Sequence, residues 1–414
     1  MPPSSASGSG PRLRSDLVAQ EHRRLGSGER EKAEATPLPG LQSTSRIALK
    51  NIDSPWFLIP QGTGVLAIVL WQLPYQFRGL HTISIVFWGM TIIQFFTILF
   101  FNTEVACLAS IVVTFTAIVQ MLALLLGEHG WEFAVYALWW VCAVLSLLMV
   151  IGVPYVFANI RPPSIARLLP NVQLPLVTAM TTATAGSALC QATPLSPKLQ
   201  VPLILVSYLL IGLAVPLASI LDTLFLGRLY NETKDDKANR GKSEALNLAY
   251  QSLVLVGPWG QCSSALQGLG QAVLSGSFSH YNTGIILTSQ AAPAIGYLSL
   301  FGGIIFWGHA TFWWAFTIIS VAQAAFGYGR AQHKAGFDLA AWSMVFPWGV
   351  YTSAAEDLGR NLDSSAFRVW ATVLAVLMVV IWILNTAYTI KGCVAGTLLG
   401  LENGWRRPQQ DEIS

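Results

Sequence analysis

The sequence predicts an all-α integral membrane protein with ten transmembrane helices, on three observations. Of its 414 residues, 53% are hydrophobic and 11% are charged, where an ordinary soluble domain carries about 25% charged residues. The charges are clumped, so that stretches such as Ser54–Phe77, Phe133–Ile160, Leu199–Leu221 and Val369–Ile390 contain no Asp, Glu, Lys or Arg. Each such stretch is near or above the ~20 residues that cross ~30 Å of hydrocarbon as helix. The third observation is a strong asymmetry of Lys and Arg between alternate loops, set out below. A β-barrel is disfavoured, because its strands alternate polar and apolar residues and these runs are apolar on every face.

The elements follow in order. Span one, near residues 56–75, carries Pro60-Gln61-Gly62-Thr63-Gly64, and span two, near 82–101, is plainly apolar. Spans three (105–127) and four (133–157) are separated by a short polar turn. Span five (170–190) contains "TAMTTATAGS", Thr178 to Ser187, and span six (199–226) ends near Asp222. The 85-residue charge-free run Ala245–Gly329 is long enough for two spans: seven (251–273), with "VGPWGQCSSALQGLGQ", and eight (296–323), with His309. Span nine (337–356) reads "WSMVFPWGVYTSA", and span ten (367–391) is again plain.

Ten spans put both termini on one side. That side collects eight Lys/Arg in the N-terminal tail, Arg161 and Arg167, five between Arg228 and Lys242, Arg330 and Lys334, and Lys391, Arg406 and Arg407, which is twenty of the 24 in the chain. Only Arg78, Lys198, Arg360 and Arg368 are left for the other side. Cytosolic loops are rich in Lys and Arg, so both termini are expected in the cytosol. The net charge of +3 is thus a topology signal and does not point to nucleic acid as a partner.

Residues 1–50 have no periodic apolar pattern and are expected to be a disordered cytosolic tail. No apolar h-region lies near Met1, so the first span is expected to act as the targeting signal. Residues 227–250 read as a charged cytosolic loop and 396–414 as a cytosolic C-terminal tail. Asn231-Glu232-Thr233 matches a glycosylation acceptor but falls on the side where it is expected to stay unmodified. Trp56, Tyr75, Trp131, Trp313 and Trp314 lie near span ends, as interfacial anchors do. The five cysteines, Cys107, Cys142, Cys190, Cys262 and Cys393, occur singly without metal-ligand spacing and read as apolar packing residues. No metal or cofactor is implied.

Glycine, proline and hydroxyl residues recur in spans one, five, seven and nine, and even spans such as two and ten are plainer. Two readings stand. Small residues let helices pack closely. Kinked or broken helix is also tolerated at membrane depth where it faces a watery cavity, which would put the odd spans around a central axis and the even ones toward lipid. Freed backbone amides together with Thr and Gln could then stabilise an anion without Lys or Arg. Asp222 reads as interfacial. His309 is the one titratable group well inside a span, either a packed neutral histidine bonded to a neighbouring helix or a functional one. A proton relay usually needs an intramembrane Asp, Glu or His. At most one member is visible here, which favours channel-like or uniport passage. An integral-membrane enzyme would need a metal-spaced cluster or a nucleophile beside a base, and neither is present in the sequence.

Three segments, "SPWFLIPQGTGVLAIVLWQLPYQF", "LVLVGPWGQCSSALQGLGQ" and "FDLAAWSMVFPWGVYTSAAEDLGRNLDSSAFRVWATVLAVLMVVIWIL", resemble the tellurite-resistance/dicarboxylate transporter family. That family includes fungal sulfite efflux pumps, fungal malic acid transporters and plant slow anion channels. The resemblance runs from Asn51 to about Gly400, and "GPWGQ" and "YTSAAEDLGRNLDSSAFRV" look closest to the sulfite pump branch. It implies five helical hairpins around a central pore lined by the odd helices, often as a homotrimer, with Phe346 of "SMVFPWG" closing the pore. Three departures stand out. Gln61-Gly62-Thr63-Gly64 replaces the usual Met-Gly-Thr-Gly, the linker after span two is reduced to Asn102-Thr103-Glu104, and span three lacks the usual Pro-Met-Gly. His309 occupies what is often an apolar or glycine position.

The expectation is a plasma-membrane protein in the lipid bilayer that exports sulfite or a similar small anion through a mostly neutral pore. The candidate lining is Gln61, Gly62, Thr63, Gly64, Thr181, Thr182, Thr184, Gly257, Pro258, Gly260, Gln261 and Pro347, with Phe346 as gate. A malate or C4-dicarboxylate transporter on the same fold is the alternative, and a non-conducting scaffold a more remote one.

Overall fold

In apolar surroundings a backbone must satisfy its own hydrogen bonds, and a chain this poor in charge does so as helix. The computed structural model describes residues 41–42, 48, 51–52, 54–101, 108–126, 129–160, 168–233, 240–326, 337–401 and 409–410. Residues 41–42 and 409–410 belong to a separate small unit, where Leu41 pairs with Gln410 and Gln42 with Gln409 in an antiparallel ladder. Most of the tail expected over residues 1–50, the Asn102–Glu104 linker and Cys107 lie outside the described residues.

The main body is helical. Its ten longer helices among the described residues are α1 (Leu58–Gln72), α2 (Leu80–Phe101), α3 (Leu108–Leu126), α4 (Glu132–Asn159) and α5 (Leu174–Ala192). They continue with α6 (Pro197–Asn231), α7 (Val256–Leu274), α8 (Ala292–Phe326), α9 (Val345–Asn361) and α10 (Ser365–Ala395). Six of them, α2, α3, α4, α6, α8 and α10, are long and apolar enough to cross a membrane by length and composition. The remaining four are shorter or diluted by glycine, threonine and serine, yet they are the most enclosed. In α7 only Gln271 and Leu274 escape burial.

The odd-numbered helices pack on one another in sequence, α1 on α3, α3 on α5, α5 on α7, α7 on α9 and α9 back on α1. Each even-numbered helix packs on the odd one before it. Polar side chains stitch these pairs. Ser84 Oγ donates to Ala67 O at 2.7 Å, Ser263 Oγ to Gly303 O at 2.7 Å, and Trp348 Nε1 to Leu374 O at 2.9 Å. The outward faces of the even helices expose Ile93, Leu148, Leu209, Phe301 and Val376, a surface suited to lipid tails.

Three readings of the sequence change. The prolines of the odd spans do not kink α-helices. Short 3-10 segments at Ser54–Phe57, Pro170–Gln173, Leu253–Leu255 and Leu339–Met344 lead into α1, α5, α7 and α9. Pro60, Pro175, Pro258 and Pro347 then fall in the first turn of each helix, where an N–H has no intrahelical partner to lose. The prolines within helices are Pro154 of α4 and Pro202 and Pro216 of α6. Residues 227–250 are not simply a loop, because α6 runs on to Asn231 and a further helix occupies Lys242–Ser252. Trp313 is fully buried and Trp56 nearly so, whereas Tyr75 and Trp131 are exposed as anchors should be.

Candidate functional site

A column of cavities runs between the odd-numbered helices. At one end lies a cavity of about 330 Å³ bordered by Asn171, Asn247, Gln251, Asp338 and Ser343. It shares Leu58, Leu174, Val254 and Ser343 with a space of only about 10 Å³, roughly one water, bordered also by Gln61, Val177, Gly257, Phe346 and Pro347. Phe346 also borders a second space of about 10 Å³. This one is bordered by α1 (Val65, Ile68), α3 (Ala117, Gln120), α5 (Thr181, Thr184), α7 (Gln261) and α9 (Phe346, Val350, Ser353), with no even helix taking part. Gln120 and Thr184 pass it on to an outer cavity of about 380 Å³ that also meets Gln76, His81, Gln191, Asp357 and Arg360. A further 430 Å³ space beside that one shares Gln191, Gly268, Asp357 and Arg360 with it. Phe346, at 3% exposure, is thus the residue common to both narrow spaces.

The polar groups that border the narrow part carry no charge. Thr184 Oγ1 lies 3.0 Å from both Met180 O and Gln261 O, bridging α5 to α7. Thr181 Oγ1 returns to Val177 O at 2.8 Å. Gln61 Oε1 and Ser353 Oγ are buried, border the two narrow spaces, and have no hydrogen-bond partner among the described residues.

Of the residues expected along a pore, Gln61, Thr181, Thr184, Gly257, Gln261, Phe346 and Pro347 border the narrow spaces. The others do not border them and lie in close contacts between helices. A Cβ on Gly62 would lie 2.9 Å from the Val345 side chain, on Gly64 3.1 Å from Thr91, and on Gly260 3.0 Å from Val350. These glycines are there for close helix approach. Thr63 accepts from Trp382 Nε1 at 3.1 Å on α10, and Thr182 pairs with Ser146 at 2.6 Å on α4. Both hydroxyls are engaged by even-numbered helices. Pro258 is buried but borders neither narrow space.

Asp222 does not face solvent. It is 4% exposed and accepts hydrogen bonds from four side chains. Gln173 Nε2 donates to Oδ1 at 2.5 Å, while Trp259 Nε1 and Trp313 Nε1, both at 2.8 Å, and His309 Nε2 at 3.1 Å reach Oδ2. His309 is therefore bonded to a neighbouring helix, away from the column. Sequence reading missed this cluster, although an isolated acid closing a charge-free run was its available signal. It also missed Gln120 and Ser353, which carry no pattern of their own, and Glu356, which is fully buried with neither carboxyl oxygen bonded among the described residues.

Comparison with known proteins adds the following. Residues 51–390 match a family described as voltage-dependent anion channel. The chain is 26% identical over 376 residues to the sulfite efflux pump SSU1 of Arthroderma benhamiae, covering 84% of this chain and 92% of that one. It is 27% identical over 376 residues, with the same coverage, to the sulfite efflux pump of Arthroderma otae. A malic acid transport protein of Schizosaccharomyces pombe is 20% identical over 374 residues, covering 84% of this chain and 80% of that one.

Proposed function

The chain belongs to the SLAC1 family of voltage-dependent anion channels, and on that premise we propose that it exports sulfite, or a similarly small oxyanion, across the plasma membrane. All ten longer helices would cross the bilayer as five hairpins with both termini cytosolic, and the odd-numbered helices would enclose the path. The single observation that carries this reading is the lining of the narrow space above Phe346. All five odd helices contribute to it, and its polar groups are amides and hydroxyls.

Phe346 would act as the gate. On either side of it there is room for about one water, so the closed ring leaves no passage for an anion, and its withdrawal joins the two wider cavities. Selectivity would come from partial dehydration against Gln61, Thr181, Thr184, Gln261 and Ser353. With no fixed positive charge in the narrow part, a monoanion is favoured over a dianion, because a doubly charged ion loses more hydration there. That same consideration ranks a malate or C4-dicarboxylate transporter second, although one of the relatives is a malic acid transport protein. A homotrimer with one path per subunit is part of the proposal.

The test compares sulfite and malate flux in proteoliposomes with the sulfite tolerance of a strain lacking the protein. Sulfite flux exceeding malate flux, with lowered tolerance in the deletion strain, supports the reading. Malate flux alone would move the protein to the dicarboxylate branch.

A further inference from the structure

Glu356 lies in the last turns of α9 with 0% exposure, and neither of its carboxyl oxygens has a hydrogen-bond partner among the described residues. It follows Gly349 by seven residues and so shares its face of the helix. That face packs on Val65 of α1 and Met378 of α10. Enclosing an ionised carboxylate without a donor is far costlier than enclosing the neutral acid. An ionised Glu356 would lie there without a donor among the described residues.

The charged groups around it do not change this. α1, α3, α5 and α7 contain no Asp, Glu, Lys, Arg or His. On α8 the one such residue is His309, bonded to Asp222, and on α10 Arg368 is bonded to Asp363 and to Gly359 O, with Lys391 near the other end of the helix. On α9 itself, Arg360 is bonded to Asp357. Both guanidinium groups nearby are already engaged.

Neighbours of Glu356 on α9 border two cavities. Asp357, the next residue, borders the outer cavity, and Ser353, one turn back, borders the narrow space beside Phe346 with a hydroxyl that has no partner among the described residues. Phe346, Ser353 and Glu356 all ride on α9, so any movement of this helix that withdraws the ring also changes what encloses the acid.

We propose that Glu356 releases and regains one proton in each transport cycle, coupling anion movement to proton movement. In the release step its O–H bond breaks, the proton passes to water in the outer cavity, and the carboxylate remains until the reverse step restores the acid. The proposal rests on the anion-transport reading given above.

The test uses full-length protein in liposomes, with nitrate as a probe that does not titrate and voltage clamped at zero. With equal nitrate on both sides, a pH gradient should drive net nitrate movement through the wild type. Glu356→Gln, nearly isosteric with the acid, should lose that response yet still pass nitrate down its own gradient. In the wild type alone, a nitrate gradient should move protons, read by an enclosed pH dye. A pH-driven response retained in Glu356→Gln, or a nitrate gradient that moves no protons in the wild type, overturns the proposal. If the wild type passes no nitrate down its own gradient, the anion-transport reading falls and the proposal with it.

Discussion

The indole N–H of Trp259 on α7 meets Oδ2 of Asp222 on α6 at 2.8 Å, two residues after Gly257, which borders the column. The same oxygen receives Trp313 at 2.8 Å and His309 at 3.1 Å from α8. One carboxylate therefore ties three helices together. Asp222→Ala should strand four donors at about 1–3 kcal/mol for each left unpaired. The expected outcome is a loss of several kcal/mol, read as a lower thermal midpoint of the purified protein; an unchanged midpoint would mean that the cluster is not structural.

The glycines of α7 and α8 are predicted to act through close approach. A Cβ on Gly270 would lie 2.8 Å from the backbone oxygen of Gly296 and 3.1 Å from Ser299 Cβ. Gly270→Ala should therefore cost about 1–3 kcal/mol, since backbone cannot yield as a side chain can. Gly89 of α2 has nothing within 4 Å of the same position, so Gly89→Ala should gain up to about 1 kcal/mol from helix propensity. Thermal unfolding of the two variants in parallel checks the contrast.

Gln61 should separate stability from transport. Its Oε1 is buried without a partner among the described residues, so replacing the amide by an apolar group of similar size costs little. Gln61→Leu should keep the wild-type thermal midpoint and lose anion flux, measured in liposomes. A normal flux would remove Gln61 from the path.

Much of the helical architecture was legible because hydrocarbon imposes a coarse rule. Runs without charge, such as Phe133–Ile160, become helices, and α4 occupies Glu132–Asn159. The alternation of small and polar residues with plain apolar ones likewise marked which helices are enclosed. What could not be read was direction around each helix. Thr181 and Thr182 are neighbours in sequence, yet one borders the column and the other bonds Ser146 of α4. Gly62 and Gly260 look like path residues by composition and prove to be contact points, because a missing side chain serves close packing as readily as an open path. The partners of Asp222 could not be read because a single acid near a span end looks the same whether it meets water or four buried donors.

Removal of the Phe346 ring tests the central claim most directly. Anion flux through purified wild type and Phe346→Ala should be compared in liposomes at controlled pH and voltage, with sulfite as the permeant ion. The account predicts low flux in the wild type and a clear rise in the variant, because the two spaces of about 10 Å³ that meet at Phe346 would merge. Equal flux from two equally well-folded proteins would contradict it, leaving Phe346 as packing and placing the anion path elsewhere.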